Sequence, residues 1–282
     1  MKSQSQFNWI FVIIAGAIIL AFFVNFALKY KSLQEEKISV ELLINLDNAL
    51  FNLQASPFNT FDMVNVPKDL EITCNNFRIG DRNYSNDKLI FSPKKLKDKI
   101  YIYYKPFNFP FKIENFYYII SPDNKFYLIA GDQKSREFAQ SLIDNLPEGF
   151  RQNIAIESTR QVTGKNIFIN TAANINDVKI ILQDNKISIN YNNKLYEDVN
   201  QELVYGIIFS DNFDCVYNKL KPSLEKTILS YQNKLILLQS SNCNYSPFVQ
   251  YLNKLKELKN EDIKPIEALN QNLASLNCPV LY

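Results

Sequence analysis

From Trp9 to Val24 no polar side chain interrupts the chain, and after the single Asn25 the apolar stretch resumes through Phe26-Ala27-Leu28. About 20 such residues, at a rise of about 1.5 Å each, match the roughly 30 Å hydrocarbon core of a bilayer. A helix in a soluble core rarely runs so long without a polar face, so this run predicts a single membrane-spanning helix whose first partner is lipid. Trp9 and Tyr30 stand at its two ends, where amphipathic rings settle at headgroup level, and are the expected membrane-interface residues. Lys29 and Lys31 can extend their ammonium groups toward water. A cleaved secretory signal ends in a small-residue site followed by a polar start. Here Ala15-Gly16-Ala17 lies inside the apolar run, so a retained signal anchor is expected.

The helix is predicted to continue beyond the bilayer. Residues 32–53 contain no Gly or Pro, and Leu33, Ile38, Leu42, Leu46, Leu50 and Leu53 recur near helical spacing with Glu35, Glu36, Lys37 and Glu41 between them. Ser56-Pro57 then supplies a break. The expected organisation is a transmembrane anchor over 1–30, an amphipathic helical stem over 31–56, a mixed α/β head over 57–210 and a helical region over 211–282. The stem either packs on the domain that follows or pairs with another copy of itself or another envelope protein.

This shape resembles the N-terminal stem of type IV pilins and archaeal pilin-like proteins. The opening Lys2-Ser3-Gln4-Ser5-Gln6 is similar to the Lys-Gly-Gln leader of archaeal prepilins, with Ser3 where that leader has Gly and no Glu near the start of the apolar run. The resemblance implies a filament or secretion-system subunit. As a whole the chain also resembles uncharacterised single-pass surface proteins of small-genome archaea, which implies an envelope setting and no particular activity. The abundance of Asn, Lys and Ile reads as the mark of an AT-rich genome.

The four cysteines, Cys74, Cys215, Cys243 and Cys278, are even in number and contain no C-x-x-C pair, which suits two disulfides in an oxidising compartment. The alternative is four reduced cysteines buried in a core. Cys215 and Cys243 are 28 positions apart. At the two ends of one helix they would be separated by about 42 Å, against the roughly 6 Å a disulfide needs. A kink at Pro222 would relax that argument. The preferred pairing is Cys243 with Cys278 and Cys74 with Cys215. Asn83-Tyr84-Ser85 and Asn244-Tyr245-Ser246 are acceptor sequons, making Asn83 and Asn244 glycosylation candidates. Lys29, Lys31 and Lys37 follow the apolar run while only Lys2 precedes it, which by itself favours a cytoplasmic head. That rule weakens for large translocated domains, so the cysteines and sequons decide for an extracytoplasmic one.

The chain of 282 residues has no histidine, which removes Ser-His-Asp and Cys-His catalysis and nearly all catalytic zinc sites. With 31 basic and 29 acidic residues and Lys dominant over Arg, nucleic acid is not an expected partner. S-x-x-K occurs at Ser92–Lys95 and Ser223–Lys226, no more often than chance provides. No cofactor, metal or catalytic set emerges, and the chain is expected not to be an enzyme. A histidine-free enzyme is the remaining alternative class.

The head reads as α+β or α/β. Aromatic and β-branched runs at 101–104, 116–120 and 125–130 predict strands, and Ser121-Pro122-Asp123-Asn124 predicts a turn. Their rings belong to a core face in preference to a ligand surface. Phe107, Phe109, Phe111 and Ile113 alternate with polar residues and Pro110, predicting a period-two edge strand. A helix over 134–146 between strands near 125–130 and 154–156 predicts a βαβ unit, with Asp132 and Asn170 at carboxyl strand ends, where such folds bind ligands. Residues 178–191 predict a hairpin turning at Asp184-Asn185, the apolar run 203–209 a central strand, and 214–239, 247–258 and 264–276 helices. The expected role is structural or recognitive at the cell envelope.

Overall fold

The computed structural model describes residues 3–55, 61–80, 82–175, 177–184, 186–238 and 243–282. The chain divides into two compact units, Met1–Asp47 and Asn48–Tyr282. The first consists of most of helix α1, which runs from Ser3 to Ala55 without interruption. Nothing in the sequence between the apolar run and Ala55 removes a helix donor or relaxes the backbone, since Pro is absent and Gly occurs only at position 16. Among the described residues α1 is the one helix long and apolar enough to cross a membrane.

The second unit is α+β and holds two six-stranded mixed sheets. The first contains β1 (Phe61–Ile72), β2 (Asn76–Ile79), β3 (Arg82–Ser85), β4 (Leu89–Phe91), β5 (Lys95–Asn108) and β6 (Lys112–Ile120), in the order β3-β2-β1-β5-β6-β4. All its pairs are antiparallel except β4 with β6. Asn124 donates back to Ser121, closing the predicted turn out of β6. The second sheet contains β7 (Phe126–Ala130), β8 (Ile154–Glu157), β9 (Lys165–Ile169), β10 (Val178–Gln183), β11 (Lys186–Tyr191) and β12 (Lys194–Tyr196), in the order β12-β11-β10-β9-β7-β8.

β7 pairs in parallel with β8 through helix α2 (Gln133–Asp144), the predicted βαβ unit, and a short helix α3 (Glu148–Arg151) precedes β8. β9 and β10 extend the parallel run, connected by residues 158–164 and 170–177, whose described residues form no helix. An ion pair between Arg160 and Asp177 ties these two connections together. β10 and β11 form the predicted hairpin, with Gln183 opposite Lys186 and Asp184 at positive φ, whereas Asn185 lies outside the described residues.

Two sequence expectations are corrected. Residues 203–209 form helix α4 (Gln201–Phe209) and no strand. Asn200 caps it, its Oδ1 accepting from the Leu203 N–H at 3.1 Å, and every residue from Leu203 to Phe209 is buried. An apolar run of this length covered on all sides carries no periodicity that separates helix from central strand. The run 107–113 is likewise not one edge strand. The chain reverses between β5 and β6 with a cis Phe109–Pro110 bond, and the Phe109 N–H donates to the Phe111 carbonyl at 2.7 Å. Its four alternating apolar side chains are all buried, so the alternation marked one covered face while missing the turn within it.

The core is aromatic. Phe91 packs against Phe116, Tyr118 and Phe213 with ring centroids 5.1, 5.6 and 6.0 Å away. Buried Tyr118 donates its hydroxyl to the Glu202 carbonyl at 2.8 Å, and Tyr205 donates to the Leu142 carbonyl at 2.9 Å. The residues after α4 form helices α5 (Phe213–Leu238), α6 (Ser246–Lys254) and α7 (Ile263–Ser275), with a 3-10 turn at Leu255–Glu257. Pro222 lies inside α5 and Pro247 in the first turn of α6.

Gly206 faces the Phe91 ring so closely that a Cβ there would lie 2.8 Å from the ring edge. Gly206→Ala is expected to lower stability by about 1–3 kcal/mol through overpacking. Combining it with Phe91→Leu should cost less than the sum of the two single changes, because the smaller side chain vacates the contact. Urea unfolding of the full chain in neutral detergent measures both quantities.

Candidate functional site

Among the described residues two features stand out, a long apolar helix and a cross-linked head. Trp9 is 72% and Tyr30 57% exposed, and the large apolar side chains between them are exposed as well. Exposure on every face of one helix is the pattern of a segment whose solvent is hydrocarbon, because its backbone hydrogen bonds are satisfied internally and its side chains need no protein partner. The last turns of α1 belong to the head unit, where Ala49, Leu50 and Leu53 are buried and Gln54 Oε1 accepts from the Tyr117 hydroxyl at 3.3 Å.

The four cysteines form two disulfides, Cys74–Cys215 with Cα atoms 5.9 Å apart and Cys243–Cys278 with 6.0 Å. The first joins the β1–β2 connection to the first turn of α5. Lys219, one turn further along α5, donates to the Cys74 carbonyl at 3.2 Å and the Asn86 carbonyl at 2.8 Å, and burial pushes its pKa down. The second closes the segment after α5 onto the segment after α7, and Tyr245 donates to the Pro279 carbonyl at 2.8 Å beside it. Cys215 lies in the first turn of α5 and Cys243 beyond its C-terminal end, which is the separation that keeps them from pairing with each other.

The sequons differ in surroundings. Asn83 is exposed on β3, the edge strand of the first sheet, opposite Arg78. Asn244 is exposed beside Cys243, but its side-chain oxygen accepts from the Ser246 N–H at 3.1 Å.

Asp132 and Asn170 do stand at the carboxyl ends of β7 and β9, and both are occupied by local structure. Asp132 caps α2, accepting from the Ser135 N–H and hydroxyl at 2.8 Å each, and these bonds hold its carboxyl below the ordinary range. Asn170 accepts from the Leu182 N–H at 2.8 Å, extending the pairing with β10. Neither S-x-x-K match assembles. Ser92 is buried while Lys95 reaches Glu71 on β1 at 3.6 Å, and Ser223 donates to Glu114 at 3.1 Å. Among the described residues no group of three potential ligands can hold a metal ion.

One polar cluster has no counterpart in the sequence reading. Lys165, at the start of β9, donates to the Ile207 carbonyl at 2.8 Å and to the Ser210 carbonyl, so its ammonium caps the C-terminus of α4. There it meets the partial negative charge of the helix end. Next to it, the Asp211 N–H donates to the Ser92 carbonyl at 3.2 Å and Asp211 Oδ2 accepts from the Lys94 N–H at 2.9 Å. The cluster thus joins the end of β4 to the start of β9. Burial pushes the Lys165 pKa down to about 8, against the opposing pull of Asp211. The preceding Gly164, at φ +81°, was the available signal: a Cβ there would lie 2.6 Å from the Lys125 carbonyl oxygen.

No protein-family model, curated protein or solved structure matches the chain. Two tests follow from its own geometry. Loop closure over separations of 141 and 35 residues makes the Cys74–Cys215 bond worth about 5 kcal/mol and Cys243–Cys278 about 4 kcal/mol. Paired Cys→Ser variants in chemical denaturation should show both losses, the larger for Cys74–Cys215. For Lys165, the folded state releases its proton near pH 8 and the unfolded chain only near about pH 10.4. The unfolded state therefore binds more protons between these values, and stability rises with pH there. From about pH 7.5 to about pH 9.5 the wild type should gain stability relative to Lys165→Met. Parallel denaturation curves at the two pH values would show no such drift if the ammonium titrated normally.

Proposed function

We propose that the chain is a single-pass membrane protein, anchored by residues 9–28, whose disulfide-braced head stands outside the cytoplasm and acts structurally or in recognition at the cell envelope. The observation that carries this reading is the pairing of an exposed apolar stretch of α1 with a head in which all four cysteines are engaged in disulfides. Lipid explains the first, and an oxidising compartment explains the second. The bonding of the head's polar residues supports a binding or structural role over catalysis, since Asp132, Asn170 and Ser223 are already committed to hydrogen bonds within the fold.

Uninterrupted continuation of α1 to Ala55 favours a second reading, a pilin-like subunit that assembles through its apolar helix. Processing near Ser3 together with fibres in purified material would establish that reading over the first.

A membrane-impermeant maleimide on intact cells tests sidedness and bonding together. The expected result is no labelling without reductant and labelling after it, with the protein retained in membranes through alkaline carbonate washing. Labelling that requires permeabilised cells instead would put the head in the cytoplasm and overturn the proposal.

A further inference from the structure

A cavity of about 660 Å³ opens where β12, α5 and the Leu255–Glu257 turn converge, within the size range of small-molecule sites. Four lysines and two glutamates line it. Their charges are not equally compensated. Lys259 is held between Glu257 at 3.1 Å and Glu197 at 3.4 Å, and Lys194 lies 3.7 Å from Asp214. Lys221 has only the face of the Tyr217 ring, 5.5 Å from its centroid, and Lys256 makes no ion pair or hydrogen bond among the described residues. Two ammonium groups are therefore available on walls contributed by different elements.

The same cavity offers acceptors and an apolar surface. Pro222 has no N–H to give the carbonyl four residues earlier, which is that of Asn218 on the cavity wall. Asn218 and the Glu197 and Glu257 carboxylates carry oxygens that can accept from hydroxyl groups, while Leu195, 54% exposed, and Tyr217 supply apolar contact. We infer that this cavity binds a hydroxylated ring bearing one anionic group, such as a sugar phosphate or an acidic sugar, with Lys221 and Lys256 holding the anion and Asn218 accepting from a ring hydroxyl. A bare anion would leave the acceptors unused, and a neutral sugar would leave the two ammonium groups unused. This inference concerns the head alone and does not depend on which side of the membrane it occupies.

Calorimetric titration of the full chain in neutral detergent tests it, with glucose 6-phosphate, glucuronate, glucose and inorganic phosphate as probes. At least one of the two acidic sugars should bind at least tenfold more tightly than glucose and than phosphate, since charge-assisted hydrogen bonds of about 1.5–3 kcal/mol correspond to a tenfold change or more. Added salt should weaken the binding. The double variant Lys221→Met/Lys256→Met should lose it by at least tenfold, Lys221→Arg should retain it, and Lys97→Met, at an exposed position of β5, should leave it unchanged. An oligomer of glucuronate that binds more tightly than the monomer would identify an envelope polymer as the source, and equal affinity a free acidic sugar. The inference is overturned if neither acidic sugar binds saturably, if glucose or phosphate binds as well as both, or if the double variant binds like wild type.

Discussion

From Leu203 to Phe209 helix α4 is buried on every side, and such a helix is stable only where it is covered all round. The rest of the head supplies that cover. Tyr118 of β6 donates to the Glu202 carbonyl, Phe91 of β4 lies against Gly206, Tyr205 donates to Leu142 of α2, and Phe209 packs edge-on to Phe126 of β7, 5.1 Å away. The two sheets therefore meet through α4, the first with the Phe91 and Tyr118 rings and the second with Phe126. Lys165 closes the arrangement by capping the helix end from β9. The hydrophobic gain from these rings is non-directional, whereas the hydroxyl donors of Tyr118 and Tyr205 select one orientation of the helix.

This explains which parts of the fold were legible in the sequence. The βαβ unit and the β10–β11 hairpin could be read because each has one covered and one wet face, leaving a periodic imprint. Helix α4 has no wet face and left none. What distinguishes it from a strand is the Asn200 cap and Glu202 in the first turn, a signal of one or two residues set against seven apolar ones. The turn at Phe109–Pro110 was hidden in the opposite way, because the strands on both sides of it cover the same face and the alternation runs on through the reversal.

The polar sites were legible to different degrees for a related reason. Asp132 and Asn170 could be placed at strand ends by topology, but whether their oxygens were free depended on neighbours three and twelve residues away. The Lys165 cluster draws on residues 92–94, 165 and 207–211, and the lysine-lined cavity on residues 194–197, 217–221 and 256–259. No local spacing encodes such a meeting. Each is produced by the packing of α4 and α5 against the sheets, so it becomes visible only after the fold is known.

The apolar helix and the head are stabilised by different means. Along residues 9–28 the helix satisfies its backbone hydrogen bonds internally, so its persistence owes nothing to the cysteines. The head depends on water-driven burial reinforced by two cross-links, one of them spanning 141 residues from the first sheet to α5. Reduction acts on the second system alone, and the apolar helix keeps its backbone hydrogen bonds while the head loosens. The continuous helix to Ala55 carries the chain from one regime to the other, with its last turns buried in the head unit.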